Sequence, residues 1–513
     1  MTRRWIGLVA ALACVGALPA TAQTSYEELQ RFTDVLNHVR ANYVDSVTYR
    51  QLLHSAIDGM LRSLDPHSWY LNSDQNARFN ALERGELAVT GVSLELADGV
   101  PTILAVSDGS PADHAGVRPG DRLMAIDKVP TAGLNARAIA LRLAGDKGSK
   151  VQMLLERGPK LEPDSVSVTV KRETPKPESF VPAKLMLDAT TGYLKLSQFG
   201  EKSANEVHDA VHDLKGQRAT RIILDLRGNP GGIVTEAVDM AKDFLPNNSL
   251  VFTTKGRQKS ANREYRTTGG GDYADLPMVV LIDQGSASAA EALTGSLQDN
   301  DRAVVAGRRS FGKALMQTAF LVPDGMVELT IGHVISPSGR YIQRPYTGLQ
   351  LEQYYAFAGD SAWQDTARVF HTLHGRTVKG GGGIAPDVAL PAPPGVPRWW
   401  TVAADSGWDR AVADSVAQTL ATDPAARTAW IHGSATWADR LLPPLLARVR
   451  SRLAVPAELD SQTRSAMARR MAAEAATVRW DEATGRELSI ENDPDVVAAA
   501  GLFARAPAIL GRH

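Results

Sequence analysis

Three short apolar runs constrain this chain more than any other feature. They are RIILDL (221–226), PMVVLI (277–282) and AVVAG (303–307). Each is short, continuous and bounded by turn residues, which fits a strand buried on both faces. Helical patterns over 235–244 and 289–297 follow the first two, and such alternation implies an α/β core with parallel or mixed strands. In these sheets ligands gather beyond the carboxyl ends of the strands. Chemistry is therefore sought in LDLRGNPGG (224–232), DQGSASAAE (283–291) and RRSFGKALMQ (308–317).

The rest of the chain reads as further domains, as 513 residues allow. Residues 1–22 look like a secretory signal. Arg3 and Arg4 precede an apolar stretch, and Ala20-Thr21-Ala22 fits a cleavage site. The stretch falls short of the roughly 20 residues of a membrane span. A lipoprotein anchor on Cys14, the single cysteine, is the less favoured reading, so an exported, periplasmic protein without disulfides is expected. Residues 23–85 are helical. Phe32, Val35, Leu36, Val39 and Tyr43 share a face expected to be buried, and a second helix over 52–64 is expected to end at Asp65-Pro66. Residues 86–173 change to short strands and Gly/Pro turns with one helix, a compact α+β module. The α/β core runs over 174–391, and residues 392–513 form an Ala-rich helical extension after a Pro-rich hinge. Charges nearly cancel, 56 basic against 57 acidic, which argues against nucleic acid as a partner. No metal-ligand spacing occurs, so neither metal nor cofactor is expected.

By its own residues, DQGSASAAE leaves two readings open. Ser288-Ala-Ala-Glu291 matches a capping box, and Ser286 serves equally well as the cap. A serine at a helix N-terminus can also be a nucleophile, with the next amide donating to an oxyanion. It then needs a base. His333 is one candidate and Lys313 the other. With an ordinary pKa of about 10.4 the lysine must be desolvated to act. Gln317, four residues on, is expected on the same face as Lys313, where it can hold the amine.

Taken together, the motifs resemble the carboxyl-terminal processing proteases, tail-specific PDZ-containing Ser-Lys peptidases of the S41 family. GSPADHAGVRPGDRLMAID (109–127) resembles the PDZ domain. LDLRGNPGG, GSASAAEALTGSLQDNDRAVVAG, FGKALMQ, SPSGRYIQ and GGGIAPDV match the peptidase core in order. The resemblance implies a crotonase-like α/β core, Ser288 as nucleophile 25 residues before the base Lys313, and Gln317 positioning the lysine. It further implies an oxyanion hole from Ala289 with Gly231 or Gly232, and a supporting role for Asp299. Ala290 and Ala314 depart from the family pattern, as does an insertion over 346–379.

The expected function is an exported serine endopeptidase that cleaves through an acyl-enzyme. Its PDZ loop and strand, Gly91, Val92, Ser93 and Leu94, would take the C-terminus of an unfolded or C-terminally exposed protein substrate. Two alternatives stand beside it: a catalytically silent PDZ scaffold, and a Ser-His hydrolase using His333. The extension past 391 is left with packing, oligomerisation or adaptor docking.

Overall fold

The computed structural model describes residues 20–511, apart from 84–85, 98–99, 107–109, 119–120, 133, 135, 158–163, 175–178, 348–353, 355–364 and 395–396. Most of the leader-like segment and much of the insertion thus lie outside the described residues. The chain divides into two units, residues 1–70 and 71–513.

In the first unit, helix Ala20–Asn42 is followed by helix Tyr49–Arg62, which a Thr48/Gln51 capping box starts. The Tyr49 hydroxyl donates to Asn37 Oδ1 at 2.6 Å. The second helix stops before Asp65, whose carboxylate accepts the amides of His67 and Ser68 and the Ser68 hydroxyl. The apolar stripe is not buried as expected: Phe32 is 44% exposed, Val35 57% and Tyr43 58%. Periodicity predicts that a helix has an apolar face, but not that anything covers it.

The α+β module contains an antiparallel sheet in the order Val92–Ala97, Val100–Val106, Arg122–Ile126, Lys150–Arg157, Asp164–Lys171. Helix Ala136–Leu143 contributes Ile139 and Leu143 to its core. Strand Val92–Ala97 is an outer strand of this sheet. Gly91 precedes it at φ +86°, where a Cβ would lie 2.3 Å from that of Ser110.

The core sheet has the order Val388–Ala389, Val304–Gly307, Met278–Ile282, Arg221–Asp225, Thr191–Lys195, Ala183–Met186. All its neighbouring strands are parallel except the last pair. Helices Ser203–Gly216, Val234–Phe244 and Ala289–Asp299 cover one face, packing on Ile222, Leu224 and Val280. The other face presents Tyr193, Ile223, Val279, Leu281 and Val304, which the chain's last helices cover with Val496, Ala499, Leu502 and Phe503. The extension is therefore of two kinds. Its earlier helices build a core of their own around Trp399, Trp430, Trp437 and Leu441, while residues from Pro494 onward complete the core sheet. A second sheet pairs Leu250–Lys255 with Gly325–Ile335, and the latter with Leu315–Val322.

Candidate active site

The two serines of DQGSASAAE separate cleanly. Ser286 is fully buried, donates to Leu226 O at 2.8 Å and accepts the Asp283 amide at 3.0 Å. It braces the strand-to-helix turn and is not the helix cap. Ser288 is the N-cap of Ala289–Asp299 and half-buried, with φ 56° and ψ −114°. Such a backbone is rare for a residue with a side chain, and the surrounding structure must hold it. The capping box is present in outline. The Ser288 amide donates to Glu291 Oε2 at 2.9 Å, whereas the Ser288 hydroxyl makes no cap hydrogen bond of full geometry.

Glu291 does more than cap. It is 1% exposed, and both its oxygens are filled. Oε1 accepts Ser310 Oγ at 2.5 Å and Gly312 N at 2.7 Å, while Oε2 accepts Ser288 N and, at 2.8 Å, Lys313 N. One carboxylate thereby ties the Ser288 turn to the Lys313 loop. Burial pushes its pKa above the ordinary glutamate value, and the four donors pull against that shift. S-x-x-E was visible in the sequence as a cap; its reach to residues 310–313 was not.

The Lys313 loop is gripped from its other side by the segment after SPSGR. Ala314 N donates to Gln343 Oε1 at 2.6 Å, and Arg344 N donates to Gly312 O at 2.9 Å. The Arg344 guanidinium donates to Phe311 O and lies 3.9 Å over the Phe311 ring. Ala314 sits buried outside the left-handed region, so this position needs no glycine. Ala290, the other departure, is wholly buried in the core.

Ser288 and Lys313 line one cleft with Glu291, Val234, Phe252, Leu315, Met316, Val334 and Ile342. Gln317 is not among the lining residues. The register shifts between Met316 and Gln317 because Ile331 on the opposite strand is unpaired, and Gln317 Nε2 donates to Thr330 Oγ1 at 3.1 Å. His333 is exposed, contacts the Tyr341 hydroxyl at 2.5 Å and does not line the cleft, although its neighbour Val334 does. Asp299 is an anchor at the far end of the Ser288 helix. It pairs with Arg340 at 2.7 Å and accepts Ser338 N at 3.0 Å, holding the loop from which Ser336 reaches the cleft.

The glycine turn of LDLRGNPGG lies directly on Ser288. A Cβ on Gly231, at φ +94°, would come 2.8 Å from Ser288 Cβ and 2.9 Å from Ala289 N. Gly231 N donates to Asn229 Oδ1 at 2.9 Å, and Asn229 Nδ2 donates to Leu196 O. The Gly231 amide is thus already engaged. Gly232, at φ +137°, bridges to Phe199. Among the described residues no acceptor takes the amide of Gly232 or of Ala289, so these two donors remain at a helix N-terminus, where negative charge is favoured.

Behind this turn lies a charged lattice that spans the chain. Asp225, fully buried, accepts Arg227 and the Tyr193 hydroxyl. The other side of the Arg227 guanidinium donates to Asp493 at 3.1 and 3.2 Å and to Asp495 at 2.9 Å, and Arg308 donates to Asp495 at 2.6 Å. Burial alone would raise both Asp225 and Asp495. Hydrogen bonds and charge from Arg227 and Arg308 outweigh it and hold both carboxyls below the ordinary aspartate value.

Among the described residues the one group that could offer a metal three ligands is His208, Asp243 and Asp272, none of which lines the cleft. His208 Nδ1 faces Asp243 Oδ1 at 3.2 Å, an ion-pair geometry that accounts for their closeness.

Comparison with known proteins agrees with this layout. Peptidase family S41 matches residues 190–352, a PDZ domain 102–157, and the "activating protease CtpB N-terminal domain" 14–75. The chain is 32% identical over 326 residues to a carboxy-terminal-processing protease of Bartonella bacilliformis, covering 63% of this chain and 74% of that one. It is 35% identical over 305 residues to a carboxyl-terminal-processing protease of Synechocystis, covering 58% and 69%. To the carboxy-terminal processing protease CtpB of Bacillus subtilis it is 31% identical over 335 residues, covering 64% and 69%.

Proposed function

The chain belongs to the carboxy-terminal processing proteases, serine-type peptidases of family S41 with a PDZ domain, and on that premise we propose that it cleaves peptide bonds by a Ser288/Lys313 dyad. The observation that carries this reading is the backbone of Ser288. It is held at φ 56° on a helix N-terminus, in a cleft it shares with Lys313.

Lys313 Nζ takes the Ser288 Oγ proton as Oγ bonds to the substrate carbonyl carbon. The amides of Ala289 and Gly232 receive the oxyanion; Gly231, committed to Asn229, shapes the hole and does not donate to it. The C–N bond then breaks, Lys313 returns the proton to the leaving amine, and water hydrolyses the acyl-enzyme. The apolar lining, Phe252, Leu315, Met316, Val334 and Ile342, disfavours the ammonium form of Lys313. The buried Glu291 charge works the other way, blunted by the four donors around it. Gln317 holds the Lys313 amine through its carboxamide oxygen, while its Nε2 donates to Thr330 Oγ1.

A fluorophosphonate should label Ser288, and Lys313→Arg should abolish casein cleavage, because guanidinium stays protonated. Label on another serine, or an active Lys313→Arg enzyme, would refute the dyad. Substrate C-termini pair with the outer strand Val92–Ala97, their carboxylate meeting the turn at Gly91. C-terminal amidation of a substrate should slow its cleavage, and unchanged rates would remove this step. The leader-like residues 1–22 fit export, for which N-terminal sequencing of the secreted chain should begin just after Ala22.

A further inference from the structure

We infer that Asp493 and Asp495, near the end of the C-terminal extension, are positioning residues for the oxyanion turn and act through Arg227. The inference rests on the proposed Ser288 site and assigns a task to a region that the S41 match, ending at residue 352, does not reach.

Arg227 is the residue just before Gly228, so whatever holds its guanidinium holds the start of the 228–232 turn. One side of that guanidinium is committed to buried Asp225 through Nε and Nη2, at 3.0 and 2.6 Å. Nη1 is taken by Asp493 and Asp495. Asp493 is itself fixed as the N-cap of Pro494–Leu502, accepting Asp495 N at 2.8 Å. That helix is seated on the sheet by Val496, Ala499 and Leu502. Asp495 also takes Arg308, two residues before Ser310, which donates to Glu291. One helix terminus thus grips the roots of both the oxyanion turn and the lysine loop.

The turn has no slack in which to absorb a shift. Gly228 N and Gly285 N both donate to Asp283 Oδ1, at 2.8 and 2.9 Å. A Cβ on Gly285 would meet Gly228 Cα at 2.8 Å, and one on Gly231 would meet Ala287 O at 2.6 Å. With contacts this close, a displacement at Arg227 passes to Gly231, Gly232 and Ala289. An error of about 1 Å at such donors costs on the order of a hundredfold in rate. Asp493 and Asp495 do not line the cleft, so substrate affinity should not follow.

The test is kinetics per titrated active site on the full chain, using a fluorophosphonate to count reactive Ser288. Asp493→Asn/Asp495→Asn should lower kcat by about ten- to a hundredfold, with KM changed by less than about twofold. Asp495→Glu in the Asp493 wild-type background should recover most of the rate, because it restores the charge. Arg308→Gln should give a smaller loss, since Arg227 keeps its partners. If the double variant unfolds at lower temperature yet each titrated site turns over at the wild-type rate, the clamp is merely structural and the inference falls. If the double variant is too unstable to assay, Asp495→Asn alone is measured by the same two readouts. If wild-type protein is not labelled at Ser288, the failure lies with the site and not with the clamp.

Discussion

Two networks meet at the carboxyl ends of the same strands, and they hold their carboxylates by opposite physics. On the cleft side Glu291 accepts neutral donors, three backbone amides and one hydroxyl. On the other face Asp225, Asp493 and Asp495 are interleaved with Arg227 and Arg308. Burial therefore wins at Glu291, whose pKa rises, and loses at Asp225 and Asp495, whose pKa values fall. A carboxylate held by amides fixes the shape of a loop without adding a cation beside the lysine. A carboxylate held by arginines ties distant chain segments together.

The comparison can be broken most severely at Glu291. Glu291→Ala would leave four donors without their acceptor, and the two buried ones, Ser310 Oγ and Gly312 N, would cost about 1–3 kcal/mol each before relaxation. We expect loss of all cleavage and a large fall in thermal stability, measured by casein turnover and calorimetry. Glu291→Gln keeps the shape but points an NH2 group at donors on one side. Cleavage should fall by about a hundredfold, while the fold melts less readily than in Glu291→Ala.

Acidification should separate the two networks. Glu291 has a raised folded pKa, so it takes up a proton in the folded state before it would in the unfolded chain, and the amides of Gly312 and Lys313 lose an ionised acceptor. Asp225 and Asp495 have depressed folded values. Their contribution is complete above the ordinary aspartate range near about 3.9 and is lost as pH falls through the lower folded values. The protection factors of the amides of residues 312 and 313, taken against the intrinsic exchange rate at each pH, should therefore fall on mild acidification while helix Pro494–Leu502 stays protected. Simultaneous loss of protection would contradict the contrast.

The smallest effect is expected at Gln317. Because it orients the amine by one hydrogen bond and exchanges no proton, Gln317→Ala should leave a measurable rate, reduced by less than about tenfold, in contrast to Lys313→Arg. A loss as complete as that of Lys313→Arg would make Gln317 indispensable to the proton transfer.

Much of this architecture was legible in the chain itself. The strand runs at 221, 277 and 303 lie in the sheet, with helices Val234–Phe244 and Ala289–Asp299 following the first two, because short apolar runs and 3.6-residue periodicity report local geometry directly. The loops that carry Ser288 and Lys313 were likewise found by their small residues at strand ends. The sequence could not show that Phe32 and Val35 lie exposed, or that Ser286 is a brace. Nor could it show that Glu291 spans two loops, or that Asp493 and Asp495 close on Arg227 from more than 260 residues away. Hydrogen bonds and ion pairs over such separations depend on which surfaces meet when the sheet is covered. Only the tertiary structure brought those surfaces together.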